Sequence, residues 1–90
     1  MKTREQWQAE TKVIRDMAEL IFQASIPFEE MDKTRSSYKL KYVASDDAYS
    51  NQFGLWEQQL MRTYDEMIDM ATYRDLEDED YPTVKEVAAE

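Results

Sequence analysis

The scarcity of helix-breaking residues constrains this chain more than any other feature of its sequence. Ninety residues contain one Gly and two Pro, so long irregular loops are disfavoured and helices are the default conformation. Hydrophobic residues make up 42% of the chain, which is enough for a core and argues against an acidic chain that stays disordered. At this length a chain forms one domain. We therefore predict a single helical domain over residues 1–90.

The first predicted helix covers residues 4–25. Thr3-Arg4-Glu5-Gln6 has the form of a capping box, in which a hydroxyl and an amide side chain each bond a free backbone amide. A residue before proline is displaced from the α region, so we expect Ile26-Pro27 to end this helix and residues 28–35 to form a connector or a single turn. Apolar residues recur at helical spacing along it: Trp7, Ile14, Met17, Ala18 and Ile21, widened by Val13, Leu20 and Ala24.

Residues 37–43 fit two conformations. Tyr38, Leu40 and Tyr42 alternate with lysines, as in a strand, yet the same segment also forms pairs three and four positions apart, as in a helix. A lone strand would have no evident partner, so the sequence favours a short middle helix. Aromatic rings beside cations can bind a small anionic ligand, and the alternative is that these cations pair with the acidic half of the same chain or of a second copy. The cations around the tyrosines are Lys33, Arg35, Lys39 and Lys41.

The second long predicted helix covers residues 48–76. Gly54 costs it up to about 1 kcal/mol near its start, so the helix could begin later. Tyr81-Pro82 should end any helix, and Thr83-Val84-Lys85-Glu86 is a second capping box that opens a short tail helix. The apolar stripe is Phe53, Trp56, Leu60, Tyr64, Met67 and Ala71, with Met61 and Ile68 beside it.

The expected fold class is all-α. Two long helices, a short middle helix and an acidic C-terminal tail form one small domain, with fraying expected over residues 77–90. The two long apolar stripes pack against each other. The expected core residues are Trp7, Ile14, Ile21, Trp56, Leu60 and Met67.

The chain lacks the residue types on which most enzymes depend for nucleophilic catalysis and metal binding. His and Cys are absent, which removes the usual nucleophile–base pairs and the thiolate and imidazole metal ligands. A calcium-loop template that begins at Asp75 places Asp80 where the sharp turn requires Gly. We therefore predict a protein that is not an enzyme, with no catalytic residue, no cofactor and no metal site.

Charge is divided unevenly along the chain. Residues 1–44 carry eight basic and seven acidic side chains, whereas residues 45–90 carry three and thirteen. A solvated helix face explains part of this excess, but like charges one turn apart repel, which suggests a surface shaped for a positive partner. The predicted partner-binding residues are Glu57, Asp65, Glu66, Asp69, Asp75, Glu77, Asp78, Glu79 and Asp80.

One short segment resembles a pattern in small proteins of phages and mobile elements. It runs from Ser36-Ser37-Tyr38-Lys39-Leu40-Lys41-Tyr42 through Tyr49-Ser50-Asn51 to Phe53, about eighteen residues, with Lys39 where that pattern usually has Gly. In size, acidity and lack of catalytic groups the chain is also similar to phage counter-defence proteins, which include anti-restriction DNA mimics and anti-CRISPR inhibitors. The resemblance implies an inhibitor, and it assigns no binding residues.

The functional expectation combines the acidic surface with this resemblance. The chain is expected to be a non-catalytic inhibitor whose carboxylates occupy the nucleic-acid-binding groove of a basic host protein. It should bind neither nucleic acid nor membrane directly, because phosphates and anionic lipids would repel it. A cytoplasmic location is expected from the absence of cysteine, of a signal sequence and of a membrane span. Two alternatives are a helical oligomerisation module, including a homodimer, and a binder of small anions through residues 33–42.

Overall fold

The computed structural model describes residues 1–33 and 46–89, with side chains over residues 1–31 and 52–89. It contains helix α1 (Arg4–Lys33), helix α2 (Asp46–Leu76), a 3-10 turn (Asp78–Asp80) and helix α3 (Val84–Ala89). Over these residues every regular element is a helix, which confirms the all-α class with two long helices and a short one. The predicted middle helix at residues 37–43 lies outside the described residues.

Helices α1 and α2 pack against each other in opposite directions. The indole nitrogen of Trp7, near the start of α1, donates to the carbonyl of Arg74, near the end of α2. At the other end of the pair, the ring of Phe28 meets that of Trp56 with centroids 5.9 Å apart. The two helices therefore form an antiparallel hairpin.

A repeat of alternating four- and three-residue steps defines the seam of this hairpin. The positions on this repeat are buried or half-buried on both helices. This 3.5-residue spacing keeps one narrow seam of each helix facing its partner, as in a coiled coil. The seam residues are Trp7, Thr11, Ile14, Ala18, Ile21, Ser25 and Phe28 on α1, and Phe53, Glu57, Leu60, Tyr64, Met67, Ala71 and Arg74 on α2.

Small side chains occupy the most buried positions of the seam. Ala18 and Ala71 are fully buried and Thr11 and Ser25 nearly so, whereas Trp7 is the one large apolar side chain buried within the described part of the chain. Small residues allow close helix approach but remove little apolar area from water. The seam alone therefore makes a thin core.

The predicted core was wrong at Trp56. Its side chain is 42% exposed, because Phe53 and Glu57 hold the adjacent seam positions and Trp56 lies one step to the side of them. The other predicted members lie on the seam, where Trp7 is buried and Ile14, Ile21, Leu60 and Met67 are half-buried.

The predicted end of the first helix at residue 25 was also wrong, as was the connector or single turn over residues 28–33; residues 34 and 35 of that prediction lie outside the described residues. Helix α1 continues through Pro27 to Lys33. A proline inside a helix removes one backbone hydrogen bond and costs about 3 kcal/mol. Beyond it, however, Phe28 packs against the rings of Phe53 and Trp56 on α2. Tertiary packing of this kind outweighs local preference, since most helix stability in proteins comes from it.

Both predicted capping boxes are present. The amide of Gln6 donates to the Thr3 hydroxyl at 3.3 Å, and the amide of Thr3 donates to the Gln6 side chain at 2.8 Å. The amide of Glu86 donates to the Thr83 hydroxyl at 3.0 Å, and the return bond is 3.3 Å. Helix α2 begins at Asp46, slightly before the predicted residue 48, and Gly54 does not delay it.

The chain beyond α2 returns to the first turn of α1. The amide of Arg4 donates to the carbonyl of Pro82 at 2.7 Å, and the amide of Val84 donates to the carboxylate of Glu5 at 2.8 Å. Each bond satisfies an amide that a helix start leaves unpaired. These contacts hold residues 82–84 against α1, in the part of the chain for which the sequence predicted fraying.

Within the described residues, neither long helix has an apolar stretch sufficient to cross a lipid bilayer.

Candidate functional site

The acidic residues predicted to bind a partner fall into two groups in the structure. Some face water, and others lie on the seam or bond to α1. Asp65, Glu66 and Asp69 are exposed on α2, away from the seam. Asp65 and Asp69 lie one helical turn apart, at a rise of about 6 Å. Glu57 differs from these three, since it is half-buried on the seam itself. The structure therefore leaves three adjacent carboxylates of α2 facing water.

Two of the predicted acids bond to α1 instead. Both terminal nitrogens of Arg15 donate to the carboxylate of Asp75, which forms a bidentate ion pair. The side chain of Gln8 donates to the carboxylate of Asp78 at 3.0 Å. These two acids thus tie the end of α2 and the turn after it to α1. The remaining predicted acids of the tail, Glu77, Glu79 and Asp80, are exposed.

Two carboxylates have lowered pKa values. The hydrogen bonds from Arg15 lower the pKa of Asp75, against a smaller opposing effect of desolvation. The hydrogen bond from Lys2 is the largest cause of the lowered pKa of Glu10; Arg74 adds to it, and desolvation opposes it. The Arg15–Asp75 and Arg74–Glu10 ion pairs each join α1 to α2, which unfolding would separate.

Acid should weaken the hairpin for this reason. A carboxylate whose pKa is lower in the folded state than in the unfolded state stabilises the folded protein. This contribution is complete above the unfolded-state pKa and is lost as the pH falls through the folded-state pKa. The ordinary pKa values are 4.5 for Glu10 and 3.8 for Asp75, so the loss should begin near pH 5 and continue below pH 4. Thermal unfolding followed by circular dichroism from pH 7 to pH 2.5 measures it. Asp75→Asn should show a smaller acid-induced drop in Tm, and an equal drop would contradict this assignment.

The end of the hairpin opposite the α1–α2 connection contains a cluster that the sequence did not predict. The guanidinium carbon of Arg74 lies 3.6 Å from the centre of the Trp7 ring, and the Tyr81 ring stacks on Trp7 at 4.4 Å. Arg74 also donates to the Thr11 hydroxyl at 2.9 Å and to the Glu10 carboxylate at 3.1 Å. Its side chain is 16% exposed. The cluster thus joins both long helices and the tail.

This cluster satisfies backbone groups at the end of α2. The last carbonyls of a helix have no partner within it, and here the Trp7 indole supplies one to the Arg74 carbonyl at 2.7 Å. Arg4 donates through its side chain to the carbonyls of Asp78 and Tyr81, each at 3.1 Å. The signal that could have located Arg74 was its position on the four–three repeat, three residues after Ala71. Any residue at that position of the repeat faces α1, whether it is polar or apolar.

An apolar groove lies near the other end of the hairpin. Its volume is about 460 Å³, and Phe28, Trp56, Gln59, Leu60 and Thr63 line it. Phe28 and Phe53 each meet the Trp56 ring edge-on and are tilted against each other, with centroids between 5.7 and 6.4 Å apart. None of the described residues that line the groove is ionisable, so these residues suit apolar contact rather than proton transfer.

The structure offers no support for a metal site among its described residues and does not describe the predicted basic patch. Nowhere in residues 1–31 and 52–89 do three acidic side chains converge as metal ligands would. The basic patch predicted at residues 33–42 lies outside the residues with described side chains. Comparison of the chain with protein-family models, with curated proteins and with solved structures finds no match. The candidate sites therefore depend on geometry alone: the exposed acids of α2 and the apolar groove.

Proposed function

We propose that this protein is a non-catalytic, protein-binding inhibitor that uses the acidic outer face of α2. The observation that supports this most directly is the exposure of Asp65, Glu66 and Asp69 together on one rigid helix. Arg62 is the only basic residue between residues 45 and 73, so this face keeps a negative potential. A basic groove that normally binds phosphates would complement it.

The mechanism is competition for that groove. Carboxylates at fixed positions on a helix take the places of phosphates, and binding is favoured by release of the counterions around both surfaces. The partner is a basic, nucleic-acid-binding protein of the host, and the protein itself does not bind nucleic acid. Restriction enzymes and RNA-guided nucleases are the target classes that we test, because both hold nucleic acid in a basic groove. Such an inhibitor would act in the host cytoplasm.

Neutralising two of these acids should abolish inhibition. In bacteria that carry an active restriction system or RNA-guided nuclease, the native chain should raise the plaquing efficiency of a targeted phage. Asp65→Asn together with Asp69→Asn should remove that protection, and in purified form should weaken binding to the same nuclease. Binding by the native chain should itself fall steeply between low and physiological salt.

The matched control carries the same charge change on α1. Asp16→Asn together with Glu19→Gln also removes two exposed acids spaced by about one turn, so net charge changes equally while the α2 face stays intact. Protection by this control variant and not by the α2 variant would support the proposal. Equal effects of the two variants would show that only total charge matters, and lack of protection against a broad panel of nucleases would overturn the inhibitor function.

A further inference from the structure

Helix α1 has a second apolar row that α2 does not cover. Leu20 in this row is 69% exposed and Val13 is 54% exposed. A helix that packs against one neighbour needs an apolar stripe of about 100°, and the seam of α1 already provides it. The row therefore gives α1 apolar surface that the hairpin itself does not use. Its four exposed members follow the same four–three spacing as the seam: Val13, Met17, Leu20 and Ala24.

The row and the apolar groove lie on the same side of the hairpin. Arg15 and Asp75 pair across the opposite side, and the row flanks the seam of α1 on the side away from Arg15. On α2, the exposed residues Trp56, Thr63 and Met70 are seven apart and flank the seam on the side away from Asp75. Trp56 and Thr63 also line the groove. The row of α1 and these three residues of α2 are called here the groove face.

The charged side chains along the groove face are acids. Glu66 lies on its rim, one turn from two of the α2 residues, and is exposed. Glu77 continues the α2 residues by another seven positions and is also exposed. Neither carboxylate pairs with a cation among the described side chains, whereas Glu10, at the start of the α1 row, pairs with Lys2 and Arg74. An apolar face bordered by unpaired carboxylates repels a second copy of this acidic chain and attracts a cationic partner.

We propose that the groove face binds a cationic amphipathic helix of a partner protein, which lies along the hairpin as a third helix. The apolar stripe of that helix fills the groove between α1 and α2, and lysine or arginine side chains beside the stripe reach Glu66 and Glu77. The rings of Trp56 and Tyr73, which are 42% and 67% exposed, give the same cations aromatic surfaces to pack on. Trp56 and Met70 are about 21 Å apart along α2, so a complementary helix has about 14 residues.

The thin seam of the hairpin supports a helix as the occupant. Apart from Trp7, the buried residues of the described chain are small, so packing of two helices leaves the α1 row in water. A third helix in the groove between two packed helices contacts both of them and covers this row. Met17 and Met70 have flexible side chains that adapt to the apolar residues of a partner. Asp65 and Asp69 lie outside the groove face, so this proposal goes beyond the inhibitor function and does not depend on it.

Binding of a synthetic peptide to the full chain tests the groove face. The probe is a fluorescein-labelled peptide of about 14 residues, with leucine on one helical face and lysine at the remaining positions. Fluorescence anisotropy should show that it binds, and circular dichroism should show that it gains helix when bound. The controls are a peptide with glutamate in place of lysine and a scrambled peptide of the original composition, and both should bind weaker by about tenfold or more. Equal binding of either control would overturn the proposal.

Substitutions in the protein test the apolar and the acidic part of the face separately. Leu20→Gln removes apolar surface without a change of charge and should weaken peptide binding about tenfold. Leu76→Gln, at an exposed position on the outer side of α2, is its control and should not weaken binding. Glu66→Gln should lower both the affinity and its salt dependence more than Glu19→Gln, which makes the same charge change on the Arg15 side of α1. Equal effects within either pair would contradict the groove face as the binding surface.

Two further measurements separate this proposal from the inhibitor function and from a second copy as occupant. Asp65→Asn together with Asp69→Asn, which should remove phage protection, should weaken peptide binding no more than Asp16→Asn together with Glu19→Gln does. Failure of the peptide to bind would thus overturn the groove face and leave the acidic-face proposal standing. Light scattering should give the monomer mass of 10.8 kDa for the native chain without peptide. A dimer that Leu20→Gln dissociates would assign the groove face to a second copy and overturn the proposal.

Discussion

Replacing Trp7 by alanine should lower the free energy of unfolding by about 3–5 kcal/mol, the range measured for large aromatic residues in cores. Trp7 is the one large apolar side chain buried in the described part of the chain. It stacks on Tyr81, lies against the Arg74 guanidinium and bonds the end of α2. The substitution therefore removes apolar burial, two ring contacts and a hydrogen bond together.

Urea unfolding followed by far-ultraviolet circular dichroism measures this loss, since it does not depend on tryptophan fluorescence. The matched control is Tyr73→Ala, which removes an aromatic ring from α2 that is largely exposed. Exposed positions away from special contacts change stability by about 0.5 kcal/mol or less. If Trp7→Ala cost no more than Tyr73→Ala, the cluster around Trp7 would not be the anchor of the hairpin.

Replacing Arg74 by methionine should cost about 2–3 kcal/mol, the second largest effect expected here. Methionine keeps most of the apolar stem, so the loss isolates the guanidinium. That group donates to the Thr11 hydroxyl, to the Trp7 carbonyl and to the Glu10 carboxylate, and lies over the Trp7 ring. Because Arg74 is mostly buried, water cannot replace these bonds at full strength.

Arg15→Met provides the comparison, measured by the same urea unfolding. Arg15 also forms an ion pair across the hairpin, with Asp75, but both side chains are about half exposed. Exposed ion pairs contribute about 0–1 kcal/mol, so this variant should be only slightly destabilised. Arg74→Lys should restore little of the lost stability, since an ammonium cannot reproduce the planar fork of the guanidinium. Equal costs at positions 74 and 15 would mean that burial of the Arg74 network contributes nothing.

The Trp7→Ala and Arg74→Met variants both test how the start of α1 and the C-terminal tail are held together. The cluster joins the start of α1 to the end of α2, and Arg4 and Glu5 fix the tail beside it. Because the most buried seam residues beside Trp7 are small, this cluster is the main contact at the end of the hairpin where residue 7 lies. We expect loss of the Trp7 cluster to release residues 77–89 before the rest of the hairpin unfolds.

Local physics explains what the sequence could predict. The scarcity of Gly and Pro favours helices at nearly every position. Capping boxes need only the residues at positions 3 and 6, or 83 and 86, so they could be located without knowledge of any neighbour. The exposure of Asp65, Glu66 and Asp69 followed from their place opposite the apolar stripe of their own helix. Helical content, helix starts and the outward acids of α2 are therefore properties that neighbouring residues determine.

Tertiary structure decided the remaining features, because each depends on a partner distant in the chain. Pro27 stays inside α1 since Phe28 gains contacts on α2. Arg74 becomes a mostly buried residue since Trp7 and Thr11 lie opposite it. Asp75 and Asp78 bond to side chains of α1, while Trp56 is exposed beside the seam. Sequence periodicity places a residue on a helix face, but only the register between two helices determines what that face meets.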